Sequence, residues 1–166
     1  MTDTPETPSP DGSVLLCFDG SKDAAASIAR AGALLRPGRA VVVTVWEPVK
    51  VWAGYDPATI ITAPLTRLAS KELDLDEMAR DVAQEKLERG IHLAREAGFD
   101  PHGQLGRGKA WRAICDVANE LDACLIVLGA RGLSRVQSAL LGSVSAAVTV
   151  HARRPVLVVS QAVSPD

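Results

Sequence analysis

The stretch CLIVLGARG, residues 124–132, runs five apolar residues straight into two glycines set three positions apart. The apolar part has strand length, is rich in Leu, Ile and Val, and does not alternate with polar residues. It therefore reads as a strand covered on both faces, as in a parallel sheet flanked by helices. Three other runs share this character: SVLLCF at 13–18, AVVVTVW at 40–46 and PVLVVS at 155–160.

Between these runs the period is helical. After DGS, residues Ala25, Ile28, Ala29, Gly32 and Leu35 fall on one stripe, and RPG at 36–38 stops the helix. Residues 72–97 set Leu75, Met78, Ala79, Val82, Ile91 and Ala94 against a dense mix of Glu, Asp, Arg and Lys, with Gly98 as the stop. Over 109–121, Trp111, Ile114, Cys115, Ala118 and Leu121 make one buried face, and a last helix opens at Gly142–Ser143 and ends before Pro155. A strand between Gly98 and Gly108 is inferred from the alternation around it, because FDPHGQLGRG offers few β-formers. The order β-α-β-α-β-α-β-α-β predicts an open, right-handed α/β fold, a five-stranded parallel sheet with helices on both faces. In such sheets ligands gather outside the carboxyl ends of the strands, where the strand order reverses.

The chain has 166 residues, 47% hydrophobic and 23% charged, which suits one compact domain, expected over 13–160. MTDTPETPSPDG mixes prolines with Thr, Ser, Asp and Glu, so residues 1–12 are expected to be a disordered tail, with 161–166 a second tail. Residues 47–71, with Pro48, Pro57 and Pro64, read as a long irregular connection of the kind that often covers a binding site. A net charge of −2 supplies no broad positive field, so nucleic acid is not an expected partner. Cys17, Cys115 and Cys124 lie in apolar runs without metal-ligand spacing and read as reduced, buried thiols. No charged start followed by an apolar stretch is visible, and no apolar run nears the ~20 residues that cross a bilayer. No membrane association is expected, and a cytoplasmic location is.

Two glycine patterns compete for an anion. GQLGRGKA at 103–110 matches the phosphate-loop pattern G-x-x-x-x-G-K-[ST] until Ala110 replaces the hydroxyl that would hold Mg²⁺, and it lacks a firm strand before it. Here Gly103, Gly106 and Gly108 read as a sharp turn into the helix of Trp111, with Arg107 and Lys109 as rim charges. GARGLSRVQSALLGS at 129–143 follows a strong strand and leads into a helix N-terminus, where backbone N–H groups and the dipole favour an anion. Two ordinary turns flanking a surface loop remain the plainer alternative.

The spacing Gly129, Gly132, nine residues, Gly142, Ser143 resembles the signature of nucleotide-binding members of the universal stress protein family. LLGSVSAAVTVHARRPVLVV (140–159) is similar to that family's closing helix and strand, and VLLCFDGSKDAAASIARAGALL (14–35) to its first strand and helix. The resemblance covers about residues 13–160. It implies a Rossmann-like fold of the adenine nucleotide alpha hydrolase-like kind and a homodimeric, ATP-binding stress or signalling module. Asp19 would contact the ribose or adenine region, Val45 would pack on adenine, and Leu128 would stand at the fourth strand's end. Gly129, Arg131, Gly132, Gly142, Ser143 and Val144 would surround phosphates and ribose, with any Mg²⁺ held through the phosphates. Cys17 joins the nucleotide-facing set at a place where small residues or Pro are familiar. Asp19 can also be read as a helix cap with Ser21, and Trp46 as stacking near the base or closing the core, the latter preferred.

His92, His102 and His151 are scattered and suggest no triad, so at most weak ATP hydrolysis is expected. The same fold with an empty or differently filled cleft, acting as an interaction protein, is the alternative. The apolar last strand is expected to pair two copies along its free edge, and an unidentified protein partner is anticipated.

Overall fold

The computed structural model describes residues 12–36, 38–48, 65–132 and 141–160, giving backbone alone for 65–74. Most of the amino-terminal tail, residues 49–64 of the connection, 133–140 of the arm between the glycine turns and the final six residues lie outside the described residues.

The chain runs β1 (Val14–Cys17), α1 (Lys22–Leu34), β2 (Arg39–Trp46), α2 (Leu65–Glu96), β3 (Asp100–Arg107), α3 (Ala110–Glu120), β4 (Leu125–Gly129), α4 (Ser143–His151) and β5 (Val156–Val159). The strands form one parallel sheet in the order β3-β2-β1-β4-β5. β1 is central, with Val14 in register with Ala40 of β2 on one side and Leu125 of β4 on the other. The doubly wound α/β architecture expected from the sequence is the one observed.

Side-chain alternation along the strands builds two cores. Leu16, Phe18, Val42 and Val127 point to one face and meet Ile28 of α1 and Leu87 of α2. Leu15, Val43, Ile126 and Leu128 point to the other and meet Ile114 of α3 and Val148 of α4. Each such side chain, fully buried, contributes about 1.5–3 kcal/mol, and β1 contributes to both layers. That is why the apolar runs do not alternate.

Helix phases differ from expectation in α1 and α2, and Leu121, expected on the buried face of the third helix, is exposed just past the end of α3. In α1 the buried stripe is Ala24, Ser27, Ile28 and Ala31, whereas Ala29 is exposed. Ser27 tolerates burial because its hydroxyl donates to the Ala24 carbonyl at 2.8 Å. α2 begins at Leu65 rather than 72, so the end of the expected irregular connection is helical. Its buried line is Ala83, Leu87, Gly90 and Ala94, and Met78 and Val82 are 64% and 52% exposed. The helix stops as foreseen at Gly98, at φ +91°, where the Phe99 N–H reaches back to the Ala94 carbonyl and the Gly98 N–H to Arg95.

β3 is a full eight-residue strand, paired with β2 from Asp100↔Arg39 to Arg107↔Trp46. Gly103 and Gly106 therefore lie inside the strand, and only Gly108, at φ +102°, makes the turn into α3. The two strand glycines serve helix approach. A Cβ on Gly103 would stand 2.6 Å from Ile91 Cδ1 and 3.2 Å from Leu87 on α2; one on Gly106 would stand 3.2 Å from Ala113 Cβ on α3. Overfilling such a contact costs about 1–3 kcal/mol. Gly103→Leu is accordingly expected to lower the urea midpoint by that much stability, and Gly103→Ala by less. Unchanged midpoints for both would contradict close α2 packing on β3.

Candidate functional site

β1 ends at the sheet centre and is fixed there from β2. The Phe18 N–H donates to the Val43 carbonyl at 2.9 Å, and the Thr44 hydroxyl donates to the Phe18 carbonyl at 2.9 Å. The next residue, Asp19, starts a tight turn through Gly20 at φ +90°. Asp19 Oδ1 accepts the Ser21 N–H at 2.9 Å, while the Ser21 hydroxyl caps α1 by accepting the Ala24 N–H at 3.1 Å. Ser21, not Asp19, is thus the side-chain cap, and Asp19 keeps its second oxygen for the space beyond the strand. That oxygen lies 2.7 Å from where a Cβ on Gly132 would sit, so Gly132 lets the carboxylate pass close by.

β4 ends beside it. Gly129 lies flush with the first turn of α1: a Cβ there would meet the Asp23 carbonyl carbon at 2.7 Å and the Ala24 nitrogen at 2.9 Å. The Ala130 peptide then ties three elements together. Its N–H donates to the Val159 carbonyl of β5 at 2.7 Å, and its carbonyl accepts the Gly142 N–H at 2.6 Å. Ser145 Oγ stands 2.9 Å from the Ala130 and Gly142 carbonyls, its one proton serving one of them at a time. Both ends of the glycine arm are fastened at this one carbonyl. Gly142 is the N-cap of α4 and brings no side-chain cap, so the helix presents bare backbone donors at its positive end.

The result is a cleft of about 330 Å³ over the carboxyl ends of β1 and β4, the point where the strand order reverses. All ten residues anticipated for a nucleotide line it: Cys17, Asp19, Val45, Leu128, Gly129, Arg131, Gly132, Gly142, Ser143 and Val144. Its volume is at the lower end of the roughly 300–1,000 Å³ of small-molecule sites. The lining divides by chemistry. Val43, Val45, Ile114 and Leu128 offer an apolar slot for a flat ring, whereas Asp19, the glycine backbones and the start of α4 offer acceptors and donors for hydroxyls and an anion.

Ser145, Ile114 and Ala110 also line the cleft and were not anticipated. Ser145 carries a signal in hindsight, since it is a small polar residue on the buried side of α4, 3% exposed. The rim charges divide. Lys109 is the exposed N-cap of α3, next to cleft-lining Ala110, but Arg107 points to the other face, its guanidinium 5.4 Å from the Trp46 ring centre. Trp46 accordingly belongs neither to the cleft nor to the closed core; it is half-exposed beside Met78 and Val82 of α2. His92 is exposed, 3.5 Å from Glu96, and His102 is exposed on β3. His151 stacks on Trp111 at 4.6 Å between ring centres. Among the described residues, no three His, Cys, Asp or Glu side chains gather into a metal site, and no helix is long and apolar enough to cross a membrane.

The sequence profile of the universal stress protein family matches residues 12–160. The chain belongs to this family. A universal stress protein of Thermus aquaticus is 32% identical over 153 residues, 88% of this chain and 96% of the relative. One from Methanocaldococcus jannaschii is 33% identical over 87 residues, about half of either chain. Among solved structures, hypothetical protein MJ0577 aligns with a TM-score of 0.72 at 21% identity, over 91% of this chain and 96% of the other. The Archaeoglobus fulgidus universal stress protein in complex with dAMP aligns with a TM-score of 0.55 at 20% identity, over 89% of this chain and 96% of the other. Universal stress protein structures with cAMP and, from Arabidopsis thaliana, with AMP share the fold.

Burial holds the Cys17 thiol well above its usual range, with Cys115 and Asp19 nearby adding to the effect, and burial chiefly raises Cys115 as well. Reaction requires the thiolate. Between pH 7 and 9 these two thiols of the folded protein are expected to stay silent toward a disulfide reagent, with half-buried Cys124 reacting ahead of them and all three reacting in denaturant. A raised folded-state value also means that the stabilisation from Cys17 is complete below the unfolded thiol's pKa and declines as pH rises past it. Rapid Cys17 labelling at pH 7 would contradict its burial.

Proposed function

We propose that this universal stress protein binds an adenine nucleotide, with ATP as the physiological ligand, in the cleft between the ends of β1 and β4. The observation that carries the reading is the convergence of Asp19, both glycine turns and the bare start of α4 on one cavity with an apolar slot. The slot made by Val45 and Leu128 would take the base, and Asp19 would accept ribose hydroxyls. Gly129, Arg131, Gly132, Gly142 and Ser143 would surround the phosphates, with Mg²⁺, where present, carried on the phosphates. The binding of dAMP, cAMP and AMP by structurally similar universal stress proteins supports the same class of ligand. The module would act in the cytoplasm as a nucleotide-dependent stress or signalling component, with at most weak hydrolysis, and residues 13–160 would be its single working domain.

Isothermal titration with ATP, ADP and AMP tests this. Gly142→Glu places a carboxylate at the anion end and is expected to abolish binding, whereas Lys109→Ala weakens it only modestly. Absence of binding by all three nucleotides to the unaltered protein would overturn the reading, and complete loss in Lys109→Ala would move the phosphates to the earlier glycines.

The homodimer is proposed through β5. The two sheet edges differ: β3 carries Asp100, Pro101, His102 and Arg107, which discourage strand addition, whereas β5 is Val-Leu-Val-Val. The Pro155 and Val159 carbonyls face β4, so by alternation Val156 and Val158 turn their backbone groups outward. Val158→Pro removes one outward N–H and is expected to give monomer in sedimentation equilibrium at tens of micromolar. Persistence of a dimer would place the interface elsewhere.

A further inference from the structure

We infer that Lys86 is a positioning residue for Asp19, acting through its methylene chain rather than its charge. The turn that presents Asp19 rests on Gly20, whose φ of +90° only glycine adopts readily. A glycine hinge beside a working carboxylate is a weak support, because its backbone has many alternatives to the observed one. The structure covers this hinge from α2. Gly90, whose lack of a side chain brings α2 onto Phe18 and Val42, with a Cβ there only 2.9 Å from either side chain, seats the helix over the end of β1. One turn earlier, Lys86 lays its Cγ, Cδ and Cε along Gly20, 3.5–3.6 Å from where a Cβ would stand. Arg89 lies across the adjacent Phe18 ring, its guanidinium carbon 5.8 Å from the ring centre.

The three methylenes thus wall one side of Gly20, at van der Waals distance from the place of a Cβ, and Lys86 itself does not line the cleft. Their removal would free Gly20 to leave its left-handed conformation. The Asp19–Ser21 hydrogen bond and the approach of Asp19 to Gly132 depend on that conformation. The consequence for affinity rests on the nucleotide reading above; the consequence for the turn does not.

The test compares Lys86→Ala with Lys86→Met in the full-length protein. Met places Cγ, Sδ and Cε where Lys has Cγ, Cδ and Cε, so it restores the cover without the ammonium. In the ligand-free protein, Lys86→Ala is expected to speed hydrogen exchange of the Ser21 amide on the order of tenfold, at an unchanged thermal midpoint, as local opening becomes easier. Lys86→Met restores the unaltered rate. In titrations, Lys86→Ala weakens ATP binding on the order of tenfold, as loss of one positioned hydrogen bond does, and Lys86→Met recovers it. An unchanged Ser21 amide in Lys86→Ala, or a Lys86→Met protein that behaves like Lys86→Ala, would overturn the inference. Should no nucleotide bind the unaltered protein, the exchange comparison still decides the positioning role and only the nucleotide reading falls.

Discussion

Everything in this structure follows from the pairing of β1 with both β2 and β4. Because the first strand lies at the centre, the chain winds outward through α1 and α2 over one face and then returns to wind outward through α3 and α4 over the other. At the junction the connections leaving β1 and β4 depart to opposite faces, and among the described residues no helix closes the space above them. The same register that satisfies the backbone of Val14–Leu16 and buries Leu15 and Leu16 on opposite faces therefore also opens a crevice.

Glycine plays a different part at each level of this arrangement. In β3 and α2 it removes bulk so that helix and strand can approach, as at Gly103 and Gly90. At Gly20 and Gly108 it supplies a left-handed turn after a strand. At Gly129 and Gly132 it yields space to the start of α1 and to a carboxylate. A pattern of glycines in a sequence does not distinguish these tasks by itself, which is why GQLGRGKA can imitate a phosphate loop while most of it is strand.

The four Val-, Ile- and Leu-rich strands were legible because burial on both faces leaves no polar alternation to misread. β3 was not, since DPHGQLGR owes its strand conformation to pairing with β2 and to the two helices that press on its glycines, a tertiary cause that local propensity does not carry. The phase of α1 slipped because a helix of alanines, glycine and serine offers little contrast between its sides, and Ser27 hides its polarity in a bond to its own backbone. Met78 and Val82 were read as buried from spacing alone, yet they lie half-covered beside Trp46 at the end of β2 and stay largely exposed. The cleft was more legible than the helix phases, because Asp19, the glycine pair and Gly142–Ser143 all sit at element ends, where motif and topology agree. Ser145 escaped notice because its work is to hold Ala130 and Gly142 together, a contact across 15 positions of chain.

The thiol that walls the cleft has a consequence for the conditions such a protein meets. Peroxides attack sulfur most readily as the thiolate, and the steps to sulfenic and then sulfinic acid begin there. Cys17, buried at 7% exposure and held in its protonated form, is a poor substrate for that chemistry. Its surface in the cleft therefore keeps its shape and polarity in the presence of peroxide, while more accessible sulfur is consumed first.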